Sequence, residues 1–516
     1  MDYMDSKNDE ATLKAYSIDG SIFTVTPSEV FSPKNKEELI EIVKSGKIIT
    51  PRGAGTCMSG GPLTEHAVID MTHAFNAIGE IDVTTHEVWV GVGVYYRDLE
   101  KNLTSKGLVF PPYTSSKDYC TIGGMVGNNA SGEKSIRYGA TVNNVTAVKM
   151  VCFDGNEYEF GELNEIQFEA KMQLQTSEGD IYRSLHELIG DNEEILLAAA
   201  PRVKKNAAGY GLWRVHDANK GTWNIAKLIV GSQGTLGIVT EAKLKLIPLA
   251  PYMRMIVIPI KTLTELGDVI ATIMEFSPEG VETYDHHTYE LAEQFMKEDA
   301  EAAIIAKGME LIVFAQFAES TQETTDTIAA HVVEALKAKG HIAKMVTQER
   351  ERVAHWNMRR ESYMLLKSHA PSGLRAVPCI EDTIVSIEHY GDFLEKLEAI
   401  LSQFKMTYTF AGHIGDGSIR LIPLIDMEHK DTREMVFELS QKVYELVVTF
   451  GGSISVDHND GIIRTPYLHL MYTPEVLALF VRTKHIFDPM GIFNPGKKVG
   501  GTLQYAKDHV ISTNRT

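Results

Sequence analysis

Cysteine is scarce. Cys57, Cys120, Cys152 and Cys379 are the four in 516 residues, with no C-x-x-C pair and no clustered run. That excludes a disulfide scaffold and an iron–sulfur cluster held by a local cysteine motif, and it reads as the reduced, mostly buried thiols of a cytoplasmic protein. Long apolar runs are missing too: none approaches the roughly 18 residues that span a bilayer. Positive charge is short, with 50 Lys+Arg against 69 Asp+Glu and a net charge of −19. This argues against a nucleic-acid surface and against anionic lipid, and for a soluble protein. The N-terminal stretch MDYMDSKNDEATLK is acidic and polar, unlike a signal or transit peptide. There is no internal repeat and no low-complexity tract.

What is present is length and glycine. Single cores stop growing at roughly 250–300 residues, so a chain of this size holds more than one. Residues 1 to about 17 read as a loose polar arm. From 18 to 250, short strands alternate with helices and glycine-rich turns. KEELIEIVKSGK sets Leu39, Ile40 and Val43 on one helical face before a glycine stop, and EVWVGVGV turns Val88, Val90, Val92 and Val94 to one side of a strand. From 251 to 450 the texture changes. MRMIVIPI and LIVFAQF read as strands, and TLTELGDVIATIMEF and ETTDTIAAHVVEALKAKG as amphipathic helices, which predicts an α+β domain with helices against an antiparallel sheet. TREMVFELSQKVYELVVTFGG reads as a strong final helix stopped by glycine. Residues 451–500 form a last segment.

Three glycine-rich stretches carry chemistry. PRGAGTCMSGG (51–61) follows the short strand KIIT. Glycines let the backbone take positive φ and let amides converge into a nest for an anion such as a pyrophosphate. Met58 stands where the third glycine of G-x-G-x-x-G belongs, so this is not a Rossmann fingerprint. PPYTSSKDYCTIGGMVGNNASGEKSIRYGA (111–140) and VGSQGTLGIVTEA (230–242) repeat the pattern. One long cofactor with a pyrophosphate at its middle accounts for all three.

With these loops, GHIGDG, GGSISVDHNDGIIRTPYL and IFDPMGIFNPGK, the sequence resembles the FAD-binding oxidoreductases of the vanillyl-alcohol oxidase and p-cresol methylhydroxylase type. Within them it is most similar to the D-lactate, glycolate and D-2-hydroxyglutarate dehydrogenases, and the motifs run in the family's order from about residue 18 to 500. The resemblance implies an α+β fold: a two-subdomain FAD-binding domain at 18–250, an α+β cap with an antiparallel sheet at 251–450, and a C-terminal segment at 451–500 returning to the flavin. It matches Arg52, Gly53, Ala54, Gly55, Thr56, Ser59 and Gly60 to the pyrophosphate loop. Thr121, Gly123, Gly124, Asn129, Gly132, Gly237, Ile238, Val239 and Asn494 match other flavin-contacting positions. Some relatives attach FAD to a histidine near the first loop; GAGTCMSGG has none, so non-covalent FAD is expected.

The same resemblance places the reaction. Arg359, in HWNMRRES, falls three residues after a tryptophan as in relatives, and a guanidinium fork suits a substrate carboxylate. Ile380 stands where some relatives keep a substrate-binding lysine. Metal-dependent relatives read H-x-G-x-G-x-x-H, completed by a later glutamate. Here His413 remains, Arg420 replaces the second histidine and Asp457 the glutamate. Arginine offers no lone pair to a metal, so no tightly held divalent metal is expected from this degraded pair, His413 and Asp457. Arg420 either supplies a fixed positive charge to the substrate or pairs structurally with Asp457 or Asp416.

His458 falls at the family's catalytic histidine. An imidazole titrating near pH ~6.5 suits removal of a hydroxyl proton, and the neighbouring aspartates would raise its basicity. The implied activity is FAD-dependent oxidation of a small D-2-hydroxy acid to the 2-oxo acid. Its electrons would pass to an external acceptor: an iron–sulfur protein, an electron-transfer flavoprotein, a quinone or oxygen. The competing reading is a flavin-binding subunit of an electron-transfer complex that has lost catalysis.

Overall fold

The computed structural model describes residues 6–303, 308–404, 406–428 and 430–511, which form three large sheets and a two-stranded one that pairs Leu108–Val109 with Ile247–Pro248. In the first sheet, strand Ala67–Asp70 lies parallel to both Glu29–Phe31 and Ile49–Arg52. Parallel neighbours need a crossover, and helix Lys36–Lys44 provides it, capped by Asn35 Oδ1 accepting from the Glu38 amide at 2.9 Å. Its buried face is Leu39, Ile42 and Val43, so Ile42 rather than Ile40 completes the apolar stripe. The loop 53–61 leaves the C-terminal end of strand Ile49–Arg52.

The loose arm expected at the N-terminus is in part ordered. Helix Glu10–Tyr16 is capped by Asp9, and Tyr16 Oη donates to Asp70. The partners that order it lie more than fifty positions downstream in the Tyr16–Asp70 case, beyond the reach of a local pattern.

The second sheet is antiparallel, in the order Glu87–Gly91, Ile238–Lys245, Val145–Val151, Glu157–Asn164, Thr222–Asn224 and His216–Asp217. All four of Val88, Val90, Val92 and Val94 are buried, but only Val88, Val90 and Val94 share one core, while Val92 packs with Ile49 and Ile69 of the first sheet.

The third sheet holds eight antiparallel strands, with Tyr252–Ile260, Leu311–Glu319, Gly280–Asp285, Thr407–Gly412 and Ser418–Ile425 at its centre. Helices cover both faces, which is why these strands read as unbroken apolar runs. Ile256, Ile258, Val313 and Ala315 pack with helices Leu266–Met274 and Gln322–Ala338. Met255, Val257, Ile312 and Phe314 pack on the other side with Trp356 and Met358 of helix Glu349–Ser368.

Helix Lys430–Thr449 is followed by Gly451 at φ +67°. It is not the final helix: Pro474–Phe487 and Leu503–Asp508 come after it. Between these two helices the chain returns to the first sheet, where Phe493 bridges Ile49 in parallel, and after them Val510 bridges Phe23.

Candidate active site

A cavity of about 560 Å³ lies where the first sheet, the helix start at Thr121 and the third sheet meet. The strand-to-loop turn after Arg52 forms one wall. Among the described residues, the amides of 53–56 donate to no backbone acceptor, so a row of N–H groups is left for an anion. Gly55 takes φ +73°, and a Cβ there would lie 2.3 Å from Arg52 Nη2, so this position needs glycine. These features fit a dinucleotide pyrophosphate.

The cavity wall includes Arg52, Gly53, Ala54, Gly55, Thr56, Thr121, Gly123, Gly124 and Val239 of the residues expected from sequence. Arg52 also donates to the carbonyls of Tyr16 at 3.1 Å and Ile18 at 2.7 Å, so its guanidinium ties the N-terminal segment to the loop. The rest stand behind the wall. Ser59 Oγ donates to the His458 carbonyl at 2.8 Å, and Gly60 packs on Phe23 and Ile462. Asn129 Oδ1 accepts from the Val142 amide at 2.9 Å, and Asn494 Nδ2 donates to the carbonyls of Gly61 at 3.0 Å and Gln233 at 2.7 Å. Gly132 abuts the Tyr113 carbonyl, Gly237 abuts Met150, and Ile238 is core. Gln233 and Asn128, unmarked in the sequence reading, line the cavity and are hydrogen-bonded to each other at 3.1 Å.

His458 faces the cavity from a loop pinned by one carboxylate. Asp382 accepts the amides of Val456 at 2.8 Å, Asp457 at 2.8 Å and His458 at 3.0 Å. The imidazole Nδ1 lies 3.0 Å from Glu381 Oε1. Ionised Glu381 can only accept, so the ring proton sits on Nδ1 and the Nε2 lone pair is free. Burial would raise the Glu381 carboxyl, but Arg464 and His458 together hold it down to about 2. Arg464 is fully buried and donates to the same Oε1 at 2.5 Å.

The expectation that a neighbouring aspartate tunes His458 is therefore corrected. Asp457 turns to Ser131, Lys205 and Arg420, and Asp460 accepts from Lys498 Nζ at 2.9 Å and the Gly209 amide at 2.8 Å. The sequence did offer a signal for Glu381 and Asp382. Two adjacent acids within the wholly buried strand Ile380–Ile384 must find partners. Ile380 is itself buried, and the register pairs it with Leu421.

Arg359 and Arg420 share a wall with His458. Arg359 Nε lies 3.0 Å from Glu282 Oε2, whereas Arg360 turns aside to Glu133 Oε1 at 2.6 Å. Arg420 Nη2 is 2.9 Å from Asp457 Oδ2 and 3.0 Å from His413 Nε2. His413 Nδ1 lies 2.6 Å from Glu282 Oε1. Because Arg420 donates to Nε2, the single proton between His413 and Glu282 stays on Nδ1. Burial pushes the Glu282 carboxyl up, to about 8, with Arg359 pulling against it. Burial and then Arg420 hold His413 well below the usual histidine range, so it is neutral. Burial would raise Asp457, but the Lys205 and Arg420 charges keep it well below the usual carboxylate range.

Lys205, absent from the sequence reading, is buried 3.2 Å from both Asp457 Oδ1 and Asp416 Oδ2. So Arg420 takes Asp457, and Asp416 goes to Lys205. The metal set of the resembling family does not fit here. A donor nitrogen stands between the two remaining ligands, and the described residues hold no group of three His, Cys, Asp or Glu poised for a metal.

Comparison with known proteins gives this geometry a frame. Residues 27–161 match the family described as FAD binding domain, and residues 249–498 match FAD linked oxidases, C-terminal domain. The chain is 25% identical to a D-2-hydroxyglutarate dehydrogenase of Haemophilus influenzae, over 93% of this chain and 48% of that one. It thus spans about half the length of the D-2-hydroxyglutarate dehydrogenases it matches. It is 27% identical to glycolate oxidase subunit GlcD of Bacillus subtilis, over 93% of this chain and 90% of that one. A D-lactate dehydrogenase of Archaeoglobus fulgidus is 24% identical, over 91% of each chain. In fold, the chain is similar to 4-ethylphenol oxidase from Gulosibacter chungangensis, with TM-score 0.69, 16% identity and coverage of 97% and 95%. No helix among the described residues is long and apolar enough to cross a membrane. The chain thus joins an FAD-binding domain to the C-terminal domain of the FAD linked oxidases, on a fold similar to that of a phenol oxidase.

Proposed function

We propose that the chain oxidises a small D-2-hydroxy acid to its 2-oxo acid. One observation carries this reading: Arg359 Nη2 and Arg420 Nε are buried without a hydrogen-bond partner among the described residues, on the same cavity wall as His458. Buried guanidinium donors left open are costly unless an anion completes them. A substrate carboxylate would do so, held between two fixed cations.

Bound FAD supplies the acceptor for the C2 hydride. His458 Nε2 takes the hydroxyl proton as C2–H breaks and the carbonyl forms, and Glu381, held by Arg464, steadies the resulting imidazolium. Residues 53–56, with Thr121 and Gly124, would hold the dinucleotide. Thr409, Ala411 and Ile422 line the cavity beside Arg420, and the register pairs Thr409 with Ile422 and Ala411 with Arg420. These small and apolar side chains suit a short, uncharged group on C2. The D configuration follows the names of the D-lactate and D-2-hydroxyglutarate relatives. Reoxidation falls to an external acceptor, with an iron–sulfur protein, an electron-transfer flavoprotein and a quinone as the candidates.

Arg359→Lys tests the carboxylate contact, because lysine keeps the charge but loses the fork. Titration of the oxidised holoprotein with a 2-oxo acid, followed by flavin absorbance, should show Kd raised about 10–100-fold, the scale of a charged hydrogen bond. An unchanged Kd would remove Arg359 from the site.

A further inference from the structure

We propose that the Arg420 guanidinium, backed by Lys205, is a built-in substitute for a divalent cation, and that Arg420→His opens a metal site with His413 and Asp457. His413 is prepared as a metal-binding imidazole is: the buried carboxyl group of Glu282 accepts from Nδ1–H and so aims the Nε2 lone pair. That nitrogen lies 3.6 Å from Asp457 Oδ2. Two ligands at about 2.0–2.2 Å from a tetrahedral ion lie about 3.3–3.6 Å apart, so the pair already has the right spacing. Arg420 Nη2 stands within hydrogen-bond distance of both, 3.0 and 2.9 Å away, in the position of the cation.

Charge follows the same logic. Asp457 Oδ1 takes Lys205 Nζ at 3.2 Å and Ser131 Oγ, which fixes the carboxylate and leaves Oδ2 for Arg420. Arg420 and Lys205 both bring positive charge to the Asp457 carboxylate, and Lys205 shares its charge with Asp416 at 3.2 Å. A guanidinium stays protonated and ignores chelators, but it offers no open coordination position. It acts instead by N–H donation, and Nε is buried without a hydrogen-bond partner among the described residues.

This inference rests on geometry and survives failure of the oxidation reading, because its readout is metal content. Holoprotein is stripped with a chelator and titrated calorimetrically with zinc. Wild type should bind no stoichiometric zinc, whereas Arg420→His should bind one per chain and lose it again when His413→Ala is added. Any turnover of the wild type should survive the chelator. Stoichiometric zinc in wild type that His413→Ala removes would overturn the proposal. So would a flavin-loaded Arg420→His protein of near-normal melting temperature that takes up none. If Arg420→His does not fold, the wild-type titration decides alone.

Discussion

His458→Ala should slow flavin reduction by a 2-hydroxy acid about a hundredfold or more, the usual scale for losing general-base catalysis, and leave the flavin bound. The two effects separate because the elements separate. The cofactor wall is built by residues 51–58, 119–121, 123–128, 232–234 and 239, whereas His458 belongs to a loop pinned by Asp382. Affinity for an unreactive carboxylate should change little, since Arg359 and Arg420 make that contact. Glu381→Gln should give a smaller loss. It keeps an acceptor for Nδ1–H but removes the negative charge that steadies the imidazolium. Anaerobic stopped-flow absorbance isolates this half-reaction from the acceptor. Near-normal flavin reduction in His458→Ala would make the histidine a polar loop residue and nothing more.

Arg464→Met should destabilise the protein by about 3–5 kcal/mol, the range for removing one member of a buried ion pair. The side chain is fully buried, donating to Glu381 Oε1 at 2.5 Å and to the Asn459 carbonyl at 2.9 Å, and it lies 3.9 Å from Asp382. Without it, Glu381 and Asp382 face each other's charge in a dry strand. The Glu381 carboxyl then loses the strongest of the influences holding it down, and with them its hold on His458. The shift in denaturant midpoint of the holoprotein measures the effect. A loss under about 1 kcal/mol would mean that solvent or another group replaces the guanidinium.

What was legible in the sequence lies within short stretches. The 51–61 loop, the H-x-G-x-G-x-x-R pattern around His413 and the DHNDG loop each announce themselves within a dozen residues. The strands of the third sheet were legible because burial on both faces makes them unbroken apolar runs. The partners that give the site its character were not. Glu381 is 77 positions from His458 and 83 from Arg464, and Lys205 is 252 from Asp457. No local pattern joins such pairs, and only folding of the third sheet against the C-terminal loop brings them together. Proximity along the chain even misled, since Asp457 adjoins His458 in sequence while its carboxylate points to Lys205 and Arg420. The N-terminal helix was missed for the same reason, because its partners Asp70 and Arg52 belong to the first sheet.

The central claim is that this cavity brings a 2-hydroxy acid, a base and a flavin together. Anaerobic addition of D- and L-2-hydroxy acids to the holoprotein, followed by flavin absorbance near 450 nm (about the usual maximum of an oxidised flavin), tests it directly. The account predicts bleaching by a short D-2-hydroxy monocarboxylate, and little or none by its L enantiomer or by an alcohol without a carboxylate. A flavin that dithionite reduces but no hydroxy acid bleaches would contradict it and make the chain an electron-transferring subunit.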